Sequence, residues 1–144
     1  MDIDTLKAEL HLEKEFGHAK LYSVTGKDVA VIEATTEYIP IKEFKQIFAQ
    51  TGDLVKAKGI KKLVFDKRAL RIFHQPSMEW YFMEWKEEMW KYGLKTHRKL
   101  LPEDNIFRQS VKIGREKIFR EHPNLKARDM DIEYREDLDE AINH

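Results

Sequence analysis

The sequence predicts an α/β domain with a mixed, mostly parallel sheet, an N-terminal hairpin and about four helices. Three observations carry that prediction. Short β-rich runs alternate with segments whose apolar residues recur at helical spacing, the pattern of strand–helix–strand crossovers. One of the runs, Leu63-Val64-Phe65, is continuously apolar, as in a strand covered on both faces. The chain has 144 residues, enough for one domain with its own core, and shows no repeat, linker or low-complexity tract. Residues 1–144 therefore read as a single domain, with 1–18 as a poorly defined leading segment.

In that leading segment Leu6 and Leu10 suit a short helix, while Leu10, Leu12 and Phe16 suit a strand. Both readings stay open. Ala19 to Val24, the turn Thr25-Gly26-Lys27-Asp28 and Val29 to Ala34 make a hairpin. Pro40 suits the first turn of a helix, where a missing N–H costs nothing. Ile41, Phe44, Ile47, Phe48, Thr51 and Val55 carry the helix to about Lys58, and Gly59 stops it. Ile60 to Phe65 is a strand, and a loop follows to Gln75. Pro76-Ser77 opens a second helix, expected to run to Tyr92 with Gly93 closing it.

Lys95 to Leu101 is the next strand, ended by Pro102, and it is strongly polar for an interior position. A third helix from about Glu103 places Phe107, Val111, Gly114 and Ile118 on one side and ends by His122-Pro123. Arg128 to Tyr134 alternates Met130, Ile132 and Tyr134 with Asp129, Asp131 and Glu133. That pattern predicts a half-buried edge strand whose acidic positions face solvent and discourage pairing with another chain. Leu138, Ala141 and Ile142 indicate a short closing helix.

This order of motifs resembles the SpoIIAA-like family, small bacterial domains related in fold to STAS regulators and CRAL-TRIO lipid-transfer domains. The resemblance lies in Val64-Phe65-Asp66-Lys67-Arg68 ending a buried strand and in Gln75-Pro76-Ser77-Met78-Glu79-Trp80 opening an aromatic helix. It continues in Gly93-Leu94-Lys95, in Leu101-Pro102-Glu103-Asp104, and in the late Tyr134, covering roughly residues 19–143. It implies a STAS-like, non-catalytic regulatory or protein-interaction domain. The alternative it implies is a binder of a small apolar ligand or lipid in a CRAL-TRIO-like pocket. STAS regulators of the anti-sigma-antagonist type carry a phosphorylatable serine in an Asp-Ser-Ser-Gly turn after the buried strand. Here the turn is Asp66-Lys67-Arg68-Ala69, and the phospho-switch does not carry over.

Composition narrows the function classes. Acidic and basic residues number 26 each, so no net field steers the protein toward nucleic acid, and no nucleic-acid partner is expected. The absence of cysteine removes thiol chemistry and fits a reducing, cytoplasmic setting. The acidic start is unlike a signal peptide, and no membrane-spanning segment is present. Glycine-rich phosphate loops, His-Glu-x-x-His and nucleophile elbows are all missing, so neither a catalytic set nor a cofactor or metal site is expected.

Candidate ligand residues follow the Leu63–Phe65 strand: Arg68, Arg71 and His74 near a helix start can grip an anion. A solvated loop with paired charges is the competing reading. Ser77 reads first as a helix N-cap or first-turn hydroxyl, and second as a ligand contact. Arg108, Lys112 and Arg115 form a basic stripe on the third helix, read as a solvated face. Finally, at 100° per residue Trp80, Met83 and Trp90 fall opposite the apolar arc of the second helix. They suit a homodimer or partner interface, an apolar ligand pocket, or core covered by a neighbouring element.

Overall fold

The computed structural model describes residues 10–144. Six strands form one sheet in the order β1-β2-β3-β4-β5-β6. They are β1 (Leu10–Glu15), β2 (Ala19–Val24), β3 (Val29–Ala34), β4 (Lys62–Asp66), β5 (Thr96–Leu100) and β6 (Asp131–Tyr134). β1, β2 and β3 pair antiparallel, and β3 through β6 pair parallel. The α/β class with its leading hairpin is as the sequence predicts. β1 adds a third antiparallel strand, which resolves residues 10–15 in favour of extended structure; Leu6 lies outside the described residues.

Among the described residues four helices accompany the sheet. α1 (Ile41–Lys58) starts after Pro40 and ends at Gly59, whose φ of 65° is the left-handed conformation that a helix C-cap uses. α2 is continuous but irregular: Gln75–Trp80 is α-helical, Tyr81–Trp85 is a π-helical turn, and Lys86–Trp90 is α-helical again. α3 (Asn105–Glu121) is capped by Asp104, whose carboxylate accepts the Ile106 N–H at 2.8 Å. α4 (Leu138–Asn143) is capped in the same way by Asp137.

Alternation along the central strands divides the core in two. Ala30, Ile32, Leu63 and Phe65 face the larger layer, packed under α1, α2 and α3. Val29, Val31, Val64 and Leu100 face the other side, where Leu138, Ala141 and Ile142 of α4 cover them. α4 is held by cations from the sheet. Lys62 Nζ donates to the Ala141 and Ile142 carbonyls, and Arg98 donates to the His144 carbonyl, satisfying groups a helix end leaves unpaired.

Two expectations are corrected in detail. The strand expected at 128–134 begins only at Asp131, because Lys126–Asp129 form a 3-10 turn. β6 is nevertheless the sheet edge, with Asp131 and Glu133 exposed. The second helix ends at Trp90 rather than Tyr92, since residues 91–93 form a turn. The polar strand β5 is fully interior: His97, Arg98 and Lys99 are 2%, 4% and 7% exposed. The polarity of His97 and Arg98 is met by partners from distant parts of the chain.

Candidate functional site

His97 and Lys99 project from β5 to the side covered by α2 and α3, whereas Arg98 projects to the other. Arg98 is saturated. It donates to the Asp131 carboxylate at 2.8 Å, the Asp131 carbonyl at 2.9 Å and the His144 carbonyl, and lies 3.4 Å from the Glu133 carboxylate. It joins β5 to the edge strand and to α4, and is structural.

His97 belongs to a buried polar chain. Its Nε2 meets the Tyr81 hydroxyl at 3.3 Å and its Nδ1 meets Lys86 Nζ at 2.9 Å. Lys86 is only 1% exposed and lies over the rings of Tyr81 and Phe82 at 4.5 and 4.0 Å. Burial pushes its pKa well below the ordinary lysine value, with repulsion from Lys67, Lys99 and Arg115 adding to it. Burial likewise pushes the His97 pKa well down and the Tyr81 pKa well up, so all three groups favour their neutral forms. The π-turn places these residues: the Lys86 N–H bonds the Tyr81 carbonyl five residues back, which interrupts the 100° phase.

Lys99, two residues along, faces a cleft between β5, β6 and α3. Lys99, Leu101, Arg108, Val111, Arg115 and Tyr134 line its centre, and the cleft volume is about 320 Å³. It opens past the carboxyl ends of β5 and β6, where open α/β sheets collect ligands. The stripe Arg108, Lys112 and Arg115 therefore lines a cleft above a buried lysine, a placement the sequence could not supply. Arg108 is anchored by the Pro102 carbonyl at 2.7 Å and the Tyr134 hydroxyl at 2.6 Å. Among the described residues no carboxylate lies within ion-pairing distance of Lys67, Lys86, Lys99 or Arg115. Glu133, at the rim, is already engaged with Arg98 and Arg135. Burial, with repulsion from Lys67 and Arg115, lowers the Lys99 pKa to about 7; burial and Arg115 lower that of Lys67 to about 8.

On the far side of Val111 lies a smaller apolar cavity of about 60 Å³, walled by Phe65, Phe73, Met78 and Phe107, with Lys67 and His74 on its lining. The cleft suits a compact molecule, and the 60 Å³ beyond Val111 is too little for an acyl chain.

The loop residues expected to grip an anion are arranged differently. Arg68 is held by Asp66 in a two-pronged pair, Nη2 to Oδ2 at 2.8 Å and Nε to Oδ1 at 3.0 Å. Arg71 Nη1 donates to the Arg68 and Leu70 carbonyls, bracing the loop. Ser77 does sit in the first turn of α2, but its hydroxyl meets His74 Nδ1 at 2.8 Å instead of capping a backbone N–H. His74 and Ser77 line the apolar cavity, away from Lys99.

The aromatic strip is half-buried within its own chain. Trp80 packs edge-on against Phe44 and Phe48 of α1, at 6.1 and 6.3 Å between ring centres. Met83 packs on the same core. Trp90 is covered by Lys95, whose Nζ lies 3.3 Å from the ring centre. α1 thus covers part of Trp80, and Lys95 covers Trp90. Among the described residues no His, Cys, Asp or Glu cluster has the makings of a metal site, and no helix is long and apolar enough to cross a membrane.

Compared with protein-family models, with curated proteins and with solved structures, the chain has no significant match.

Proposed function

We propose that this domain is a ligand-binding module of the regulatory, non-catalytic kind, taking a small organic carboxylate in the cleft between β5, β6 and α3. One observation carries the reading: Lys99, Lys67 and Arg115 crowd together with no carboxylate to neutralise them. Like charges in a low-dielectric setting destabilise one another, and an anion in the cleft removes that cost. Arginine's planar fork matches a carboxylate, and Leu101, Val111 and Ile132 offer apolar surface to a short carbon body. This departs from the alternative of a small apolar ligand or lipid: the ligand carries a charge, and the cavity volumes disfavour long lipids. The SpoIIAA-like resemblance and a cytoplasmic setting accord with such a role. Self-association through the exposed remainder of Trp80, Met83 and Trp90 is a separate proposal.

The test is thermal unfolding against propionate, inorganic phosphate and chloride at matched ionic strength. A binder of the native state raises the midpoint saturably, and propionate is expected to do so where chloride does not. Lys99→Met and Arg115→Met should each weaken that response about tenfold or more, since a charge-assisted hydrogen bond contributes roughly 1.5–3 kcal/mol. Equal midpoints in all three salts would overturn the reading. A phosphate response exceeding that of propionate would replace the carboxylate with a phosphate ester.

A further inference from the structure

Lys99 combines three properties that a point of charge recognition does not need. It is almost fully enclosed, yet it lines an open cleft. It has no carboxylate partner and makes no side-chain hydrogen bond among the described residues, so its amine lone pair is not already engaged. The charged and titratable groups around it are Lys67 after β4, Lys86 on α2, His97 on β5, Arg108, Lys112 and Arg115 on α3, and Glu133 and Tyr134 on β6. Of these, Glu133 is the sole carboxylate, and it is turned to Arg98 and Arg135. A lysine beside other cations, away from water, is the arrangement that keeps an amine neutral and nucleophilic near pH 7.

Resting on the carboxylate reading above, we infer that the cleft takes a carboxylate bearing a neighbouring carbonyl, a short 2-oxo acid, and holds it as a reversible imine on Lys99. Arg115, which lines the cleft with Lys99, receives the carboxylate and brings the adjacent carbonyl carbon to Nζ. The Nζ lone pair forms the C–N bond while the carbonyl oxygen takes up a proton, giving a carbinolamine. Loss of the second amine proton and of the hydroxyl as water then leaves C=N. The sum is amine plus ketone giving imine plus one water, with no oxidant or reductant consumed. Water leaves through the open mouth of the cleft. The depressed Lys99 pKa, about 7, means that a large fraction of the amine is unprotonated in neutral buffer.

The experiment traps the adduct. The full chain is incubated with pyruvate and sodium cyanoborohydride at pH 7, and modified lysines are located by peptide mass spectrometry. Lys99 should acquire the reduced carboxyethyl group well ahead of every other lysine. Acetone, which has the ketone without the carboxylate, should label Lys99 far more slowly, and propionate should protect it from pyruvate. Lys99→Arg keeps the charge and should abolish labelling at that position, its fold checked by near-ultraviolet circular dichroism. Site mapping on the unaltered protein stands even if that variant does not fold. Labelling spread evenly over surface lysines overturns the imine. Propionate shielding Lys99 from acetic anhydride, with no pyruvate adduct, overturns the imine while leaving the carboxylate site in place. Absence of both shielding and adduct overturns both.

Discussion

Replacing Lys86 with methionine should change not merely the stability of this domain but how that stability depends on pH. The substitution keeps an unbranched side chain over Tyr81 and Phe82 and removes the amine that meets His97 Nδ1 at 2.9 Å. At pH well above the ordinary value of 10.5, wild-type Lys86 is neutral in both folded and unfolded chains. The variant then loses one buried hydrogen bond and strands Nδ1, costing about 1–3 kcal/mol. At lower pH the balance shifts. The folded-state pKa of Lys86 lies well below its ordinary value, so between the two values the unfolded chain binds more protons than the folded one. Wild-type stability therefore rises with pH across that window, by up to about 1.4 kcal/mol per pH unit, and falls as pH drops through it. The variant has no such group. Its stability relative to wild type should improve steadily as pH falls through that window, working against the deficit. Urea unfolding followed by tryptophan fluorescence, at half-unit steps from pH 6.5 to 9.5, reads this directly. His97 does not interfere, because its own depressed pKa places its window below pH 6.5. Lys67 and Lys99 contribute to both proteins. Parallel stability curves for the two proteins would refute the reasoning, since they would mean that Lys86 binds protons equally in both states.

Other outcomes follow from the packing. A methyl group at Gly114 would press on Gln75 and come within 3.0 Å of Phe73 Cζ and 3.1 Å of Met78 Sδ, so Gly114→Ala should destabilise by about 1–3 kcal/mol in urea unfolding. Asp104→Ala removes the α3 cap and should cost about 1 kcal/mol, whereas Asp104→Asn should retain most of it. Trp80→Ser should destabilise the isolated domain by about 2 kcal/mol or more through lost contact with Phe44 and Phe48, and Trp90→Ser by much less. Light scattering on Trp90→Ser then tests self-association separately from folding: a dimer that persists would exclude Trp90 from the contact.

Much of the architecture was legible in the residues because its causes are local. Pro40 and Gly59 bracket α1, Asp104 caps α3, and the Thr25–Asp28 turn closes the hairpin with Gly26 at a φ of 77°. The buried run Leu63–Phe65 and the acidic edge Asp131 and Glu133 also declared their positions by period alone. Residues 128–130 were misjudged because their alternation continues that of β6, while the hydrogen bonds close a 3-10 turn.

The tertiary structure decided the site. His97 and Arg98 of β5 look exposed in one dimension, since their partners stand far off in sequence: Tyr81 and Lys86 for His97, and Asp131 and His144 for Arg98. The phase of α2 past Tyr81 depends on a π-turn, and a wheel drawn at constant pitch cannot contain one. The stripe Arg108, Lys112 and Arg115 reads as solvated until α3 is laid across β5 and β6, which places it over Lys99. Capping, turns and burial period act between near neighbours and are written along the chain. The charge environment of a buried amine is a sum over space, and only the folded chain brings its terms together.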